Sequence, residues 1–248
     1  MIQNKLSKLI VFISFIIFFS SCSIYEDIYF KDNATVRYEM KVDASEVLAM
    51  IPDLANKTNN SIPSDSIISF AEIIREKVDT TNMTDSDKKD LENVSPLFLN
   101  IKNKPDEQVL SLLMYGDFDN IDKLNEALIS ADRLQEKTID KASGNSGFNM
   151  DRISNLSSYT WDGKKMSRTT ISSSAESDDE NPTAETAMMS QLFSQGKLIV
   201  KYHFPKKVVK INNPKALLSQ DGKSVIIEYP ASVYKKPEEK MNIEIVTE

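Results

Sequence analysis

The stretch 155–171 reads NLSSYTWDGKKMSRTTI and predicts a β-hairpin. Two strand-like runs, 155–161 and 165–171, flank the dipeptide Asp162-Gly163. Asp-Gly favours a type I′ turn, because that turn needs positive φ at its central residues. The stretch therefore predicts antiparallel pairing in this part of the chain.

Other segments share the strand pattern. Val36, Tyr38, Met40 and Val42 alternate with polar residues, which is typical of a half-buried strand. The run 109–115 is apolar on both faces and predicts a buried central strand. Further strands are expected at 197–204, 224–229 and 241–246.

Helical signals lie between these strands. The clearest helix is expected at 119–137, and others at 64–78 and 182–194. Thr84 and Asp87 have the spacing of a capping box at the start of a further short helix. Helices mixed with hairpins, without regular βα alternation, predict an α+β fold: a mainly antiparallel sheet with helices packed on one face.

The N-terminus has the order of an export signal. Lys5 and Lys8 precede the apolar run 9–19 (LIVFISFIIFF), and Ser20-Ser21 lead to Cys22, the only cysteine. An apolar run of this length suits a signal peptide and is short for a membrane span. The segment resembles the signal peptides of bacterial lipoproteins, although Phe19 stands where those signals usually have Leu.

The resemblance implies that a signal peptide, residues 1–21, is removed and that Cys22 carries acyl chains such as palmitate. Two acyl chains suffice for stable membrane anchoring. The alternatives are an ordinary signal peptide cleaved elsewhere and an uncleaved N-terminal anchor. With no second cysteine, the chain has no internal disulfide.

Residues 22–33 are expected to form a lipidated tether, and residues 34–248 a single α+β domain with a candidate sub-boundary near 138–150. Within the tether, Glu26 and Asp27 resemble the short acidic patch that directs some Bacteroidetes lipoproteins to the cell surface. The alternative is a solvated acidic linker.

Removal of residues 1–21 lowers the net charge from −7 to −9. Nucleic-acid binding needs a basic surface, so we do not expect a nucleic-acid partner. The composition, 40% hydrophobic and 27% charged, is that of a globular protein.

The C-terminal third carries a second resemblance. Residues 202–208 (YHFPKKV), 212–216 (NNPKA) and 219–225 (SQDGKSV) are similar to uncharacterised flavobacterial lipoproteins and, more loosely, to LppM-like lipoprotein domains. The similarity covers roughly residues 183–247. It implies an α+β lipoprotein domain and brings no catalytic residues.

No catalytic or metal-binding motif stands out. His203 is the only histidine, and we expect a sheet histidine there, because metal sites and catalytic triads need further clustered groups. The acidic segment 117–120 lacks the glycine and distal glutamate of a calcium loop. Tyr159 and Trp161 are expected to pack across the hairpin, the alternative being an exposed contact for sugar or protein.

The sequence therefore favours an outer-membrane lipoprotein facing the periplasm or the cell surface, without a cofactor, metal or enzymatic activity. Its partners would be the membrane, through Cys22, and an envelope protein or lipid. It would act as a non-catalytic interaction or structural module. The alternative is a small-molecule or lipid-binding module with a cleft between sheet and helices, lined by Leu112, Met114 and Leu128. A carboxylate-based enzyme is a more distant third.

Overall fold

The computed structural model describes residues 23–46, 65–77, 83–139, 157–171, 196–235 and 241–248. Within these ranges the chain forms two β-sheets and three α-helices, and the sheets are mainly antiparallel. The predicted α+β class is therefore confirmed.

The larger sheet has eight strands, in the spatial order β10-β11-β8-β1-β2-β5-β4-β3. All neighbours are antiparallel except β1 and β8, which run parallel. Its strands are β1 Ser23–Phe30, β2 Val36–Asp43, β3 Ser66–Ser69, β4 Phe98–Lys104, β5 Val109–Phe118, β8 Lys197–His203, β10 Leu217–Leu218 and β11 Ser224–Pro230.

The smaller sheet has four antiparallel strands in the order β6-β7-β12-β9. They are β6 Ser157–Trp161, β7 Lys165–Thr170, β9 Val208–Ile211 and β12 Ile243–Thr247. The helices are α1 Phe70–Lys77, α2 Asp85–Asn93 and α3 Ile121–Ile139, and short 3-10 turns occupy Pro105–Glu107 and Ala231–Lys235.

The core lies against one face of the eight-stranded sheet. Alternate residues of β1, β2 and β8 point inward, and their buried side chains form one cluster with those of the small sheet and α3. Helix α3 contributes Leu124, Ala127 and Leu134 to this cluster and packs against α2 and β6. Both the helices and the small sheet thus cover the inner face. The other face, called the open face below, presents Tyr25, Asp27 and Tyr29 of β1.

The expected tether at 22–33 is wrong for residues 23–30. They form β1, which lies inside the sheet between β2 and β8. Ile24, Ile28 and Phe30 are at most 3% exposed, so every second residue of this segment enters the core. Apolar burial and backbone pairing along both edges hold the segment in the sheet.

The remaining domain division stays a prediction, and residues 1–22 lie outside the described residues, as do 140–156 and 172–195. The helix expected at 64–78 begins later, at Phe70, because Ser66–Ser69 pairs with β4 as strand β3. None of the helices described here is long and apolar enough to cross a membrane.

Candidate functional site

The acylation site predicted at Cys22 lies outside the described residues, but its neighbour Ser23 is the first residue of β1. Ser23 pairs with Asp43 of β2 on one side and with Lys197 of β8 on the other. The position next to Cys22 is therefore fixed by two strands of the sheet.

His203 lies on the open face, between a serine and a carboxylate. Its Nδ1 is 3.0 Å from Ser224 Oγ, and its Nε2 is 2.8 Å from Asp27 Oδ1. The ring also stacks on Tyr29, with centroids 4.2 Å apart. These residues lie on three adjacent strands. His203 of β8 pairs directly with Tyr29 of β1 on one side and with Ser224 of β11 on the other.

This arrangement differs from a hydrolytic triad in two ways. In the triad the serine contacts Nε2 and the carboxylate contacts Nδ1, whereas here the two nitrogens are exchanged. The backbone N–H of Ser224 donates to Ser219 Oγ at 2.8 Å and is not free to bind an oxyanion. His203 thus lies in a polar cluster of the sheet, and its lack of catalytic function stays a prediction.

Aromatic rings and cations alternate across the same open face. The Tyr25 ring lies between Lys41 Nζ, 5.9 Å from its centroid, and Lys201 Nζ, 6.0 Å away. The Arg37 guanidinium lies 5.3 Å from the Tyr115 centroid. Such cation–π pairs suit a surface that binds a partner carrying both apolar and charged groups.

Carboxylates complete this surface. Arg37 donates to Glu39 at 2.6 Å and to Asp117 at 2.7 Å. The hydrogen bond to Glu39 is the main reason that the pKa of Arg37 is raised. Asp117 also pairs with Lys31, so this acid of the segment 117–120 serves ion pairs on the open face.

A second polar cluster is buried between the two sheets. Arg168 Nη1 donates to Glu26 Oε2 at 2.9 Å, and Tyr159 Oη donates to Glu26 Oε1 at 2.6 Å. Arg168 also contacts Tyr202 Oη at 3.2 Å and Ser157 Oγ at 2.9 Å. We call these five residues the interlayer cluster.

The side chains of the interlayer cluster are cut off from solvent. Arg168 is 2% exposed and Glu26 is 3% exposed. Burial raises the pKa of both Tyr159 and Tyr202, so these phenols stay protonated. Burial is the largest single influence and would lower the pKa of Arg168, but the combined effects of Glu26, Tyr159 and Tyr202 outweigh it and the pKa is raised. The cluster connects the two sheets through the Glu26–Arg168 ion pair. The hydrogen bonds of this pair given above are made to other residues of the cluster.

Sequence reasoning missed the interlayer cluster. The sequence around Glu26 indicates an acidic patch or linker, and nothing in it points to Arg168, 142 residues further along the chain. The available signal was the alternation of Ile24, Ile28 and Phe30, which places Glu26 on the same inward face.

The hairpin aromatics pack mainly against the large sheet, whereas the sequence predicts packing across the hairpin. Tyr159 is 1% exposed, and Trp161 packs against Phe30 and Phe204 with ring centroids 4.9 and 5.6 Å away. An open hollow of about 340 Å³ lies beside this hairpin and the start of α3. Its lining is mostly polar and comprises Ile121, Asp122, Thr160, Trp161, Asp162, Lys165 and Ser167.

The residues expected to line a small-molecule or lipid cleft do not line this hollow. Leu112, Met114 and Leu128 are partly buried and pack against the hydrophobic core. Within the described ranges, no group of three or more His, Cys, Asp or Glu side chains is arranged to hold a metal ion.

Comparisons with known proteins give little beyond this geometry. No protein-family model matches the chain, and no curated protein matches it. Among solved structures, the chain is weakly similar to the folded domain of the Mycobacterium tuberculosis protein LppM, determined by NMR. The two are 10% identical with a TM-score of 0.38, over 91% of this chain and 88% of that one.

Proposed function

We propose that this chain is an exported envelope lipoprotein, held at the outer membrane by acyl chains on Cys22. Its folded body acts as a non-catalytic interaction module that faces the periplasm or the cell surface. The observation that carries the proposal is the signal in residues 1–22, which ends one residue before strand β1 begins at Ser23.

The signal supports anchoring because it joins three features in the required order. Lys5 and Lys8 come first, an apolar run of 11 residues follows, and small residues precede Cys22. Acylation also accounts for a single unpaired cysteine in an exported chain. Two acyl chains would hold the body at the bilayer without a membrane-spanning helix.

The open face supports a binding role. It presents Tyr25 between Lys41 and Lys201, and Arg37 beside Tyr115, in a mixture of aromatic and charged groups typical of protein interfaces. A protein partner with acidic and aromatic groups matches this mixture. The exchanged nitrogens of His203 and the occupied N–H of Ser224 favour binding over hydrolysis.

The alternative is a module that binds a small molecule. Its best support is the hollow beside Trp161, whose polar lining suits a polar ligand better than an acyl chain. Binding at this hollow should be sensitive to Asp122→Ala and insensitive to changes on the open face.

Two measurements test the proposal. Wild-type protein should sediment with membranes, and Cys22→Ser should shift to the soluble fraction or retain its signal peptide. Tagged wild-type protein should capture a partner protein from detergent-solubilised membranes. Lys201→Glu on the open face should abolish this capture. Lys210→Glu, an exposed lysine on the small sheet, is the matched control and should leave capture unchanged.

Membrane attachment and signal-peptide removal that are both unchanged in Cys22→Ser would overturn the anchor. Capture that is unchanged in Lys201→Glu would overturn the assignment of the open face. Loss of capture in both lysine variants would point to general electrostatic attraction instead of a specific surface.

A further inference from the structure

The register of the large sheet defines an end that lies next to Cys22. Ser23 pairs with Asp43 and Lys197, Lys197 pairs with Pro230, and Asp43 pairs with Ser111. These five residues come from five adjacent strands and form one row across the sheet. We call this row, with the side chains around it, the anchor end.

The opposite end of the sheet is formed by tight turns. Residues 31–35 connect β1 to β2, and the turn before Ser224 lies beside His203. The hairpin turn at 162–164 belongs to the same end, because Trp161 packs against Phe30 and Phe204. Since β1 has eight residues and a strand rises about 3.3 Å per residue, the two ends lie about 23 Å apart.

We propose that the anchor end rests on the membrane surface and that the turn end points away from it. The inference rests on the proposed acylation of Cys22. Acyl chains in the bilayer hold Cys22 at its surface, and one residue spans at most about 3.6 Å, so Ser23 stays at the lipid headgroups.

The sheet extends this constraint beyond Ser23. Both edges of β1 are paired along their length, so Ser23 cannot move away from Asp43 or Lys197 without breaking the sheet. The side chains around them are polar: Lys197 Nζ lies 3.3 Å from Glu228 Oε2, with both side chains more than half exposed. Lys41 pairs with Asp43 at 2.9 Å. Paired charges of this kind are compatible with the hydrated headgroup layer.

The charge of the body disfavours lying flat. The mature chain has a net charge of −9, and anionic lipids repel such a body. An upright body would leave both the open face and the hollow beside Trp161 accessible from the aqueous side. The partner surface and the alternative ligand site would then both be usable in the anchored protein.

Site-specific fluorescence quenching tests the orientation. Acylation uses Cys22, so an introduced cysteine is the only free thiol for a fluorescent label. Lys197→Cys places the label at the anchor end, and Lys164→Cys places it on an exposed residue of the turn end. The full-length acylated protein is reconstituted into phosphatidylethanolamine–phosphatidylglycerol vesicles that contain a lipid with a nitroxide on its headgroup.

The label at position 197 should lose most of its fluorescence, and the label at position 164 should lose little. A long Gly-Ser spacer inserted between Cys22 and Ser23 should reduce the quenching at position 197 towards that at position 164. Equal quenching at both positions in protein shown by mass to be acylated would overturn the orientation alone. Protein that lacks acyl chains and does not float with the vesicles would overturn the proposed anchor and the orientation together.

Discussion

Glu26 and Asp27 are neighbours on one strand, yet they lie in opposite environments. Glu26 points inward and pairs with Arg168 in the interlayer cluster, where both side chains are at most 4% exposed. Asp27 points to the open face and contacts His203, with side-chain exposures of 17% and 28%. Residues alternate between faces along a strand, so one step along β1 exchanges a dry environment for a partly solvated one.

The comparison indicates that burial decides what each carboxylate contributes. A buried ion pair has given up its hydration, so removal of one partner leaves an uncompensated charge and costs several kcal/mol. A partly exposed pair keeps solvent as a substitute partner and contributes little. The inward carboxylate therefore serves the folded state, and the outward one contributes little to it.

The largest effect is expected for Glu26→Gln. The substitution leaves the Arg168 charge buried without its carboxylate partner, which should lower the free energy of unfolding by about 3–5 kcal/mol. Urea unfolding measures the loss. Lys197→Ala, which breaks a surface pair with Glu228, is the control and should cost at most about 1 kcal/mol.

A loss below about 1 kcal/mol in Glu26→Gln would contradict the role of the interlayer cluster. The double variant Glu26→Leu, Arg168→Met sharpens the test. It should be more stable than Glu26→Gln, because it leaves no unpaired charge in the interior.

Tyr159→Phe should have the next largest effect. It removes the O–H that donates to Glu26 at 2.6 Å, and a hydrogen bond to a charged group contributes about 1.5–3 kcal/mol. Tyr229→Phe is the matched control, because the Tyr229 hydroxyl is buried and makes no hydrogen bond among the described residues. Equal losses in the two variants would contradict the assigned hydrogen bond.

Alkaline unfolding tests the same cluster through the pKa of Tyr202. Burial raises this pKa, so the folded protein keeps a proton that the unfolded chain releases near pH 10. The protonated Tyr202 therefore contributes its full share to the free energy of unfolding below that pH. This contribution is lost as the pH rises above about 10. Tyr202→Phe should make this decline shallower in urea titrations at increasing pH. An unchanged decline in both Tyr202→Phe and Tyr159→Phe would argue against buried phenols.

The smallest effect is expected for Asp27→Asn. Solvent can replace the lost partner of His203, so the free energy of unfolding should fall by at most about 1 kcal/mol. Urea unfolding again provides the measurement. A loss as large as that of Glu26→Gln would mean that the open face is as well covered as the interlayer cluster.

Local chemistry allowed several elements to be predicted from the sequence. The hairpin at Asp162-Gly163 is confirmed, but its predicted type I′ turn is wrong, because Gly163 has a positive φ of +91 and Asp162 does not. Thr84 and Asp87 form the predicted capping box of α2. The pattern at 119–137 gave α3, observed at Ile121–Ile139. In each case the signal and the structure that it specifies lie within a few residues.

Strand β1 and the interlayer cluster could not be predicted in the same way. A glutamate at an inward position interrupts the apolar pattern of a strand, so it argues against a strand unless its partner is known. That partner, Arg168, lies on the second sheet. The position next to the proposed anchor also favours a solvated tether. Long-range pairing thus decided the structure of this segment, and a single sequence carries little information about such pairing.

The intact mass of the protein isolated from the membrane fraction tests the central claim most directly. Our account predicts a chain that begins at Cys22, with the added mass of its acyl chains. An unmodified mass that still includes residues 1–21 would contradict the anchor on which the proposed function and orientation depend.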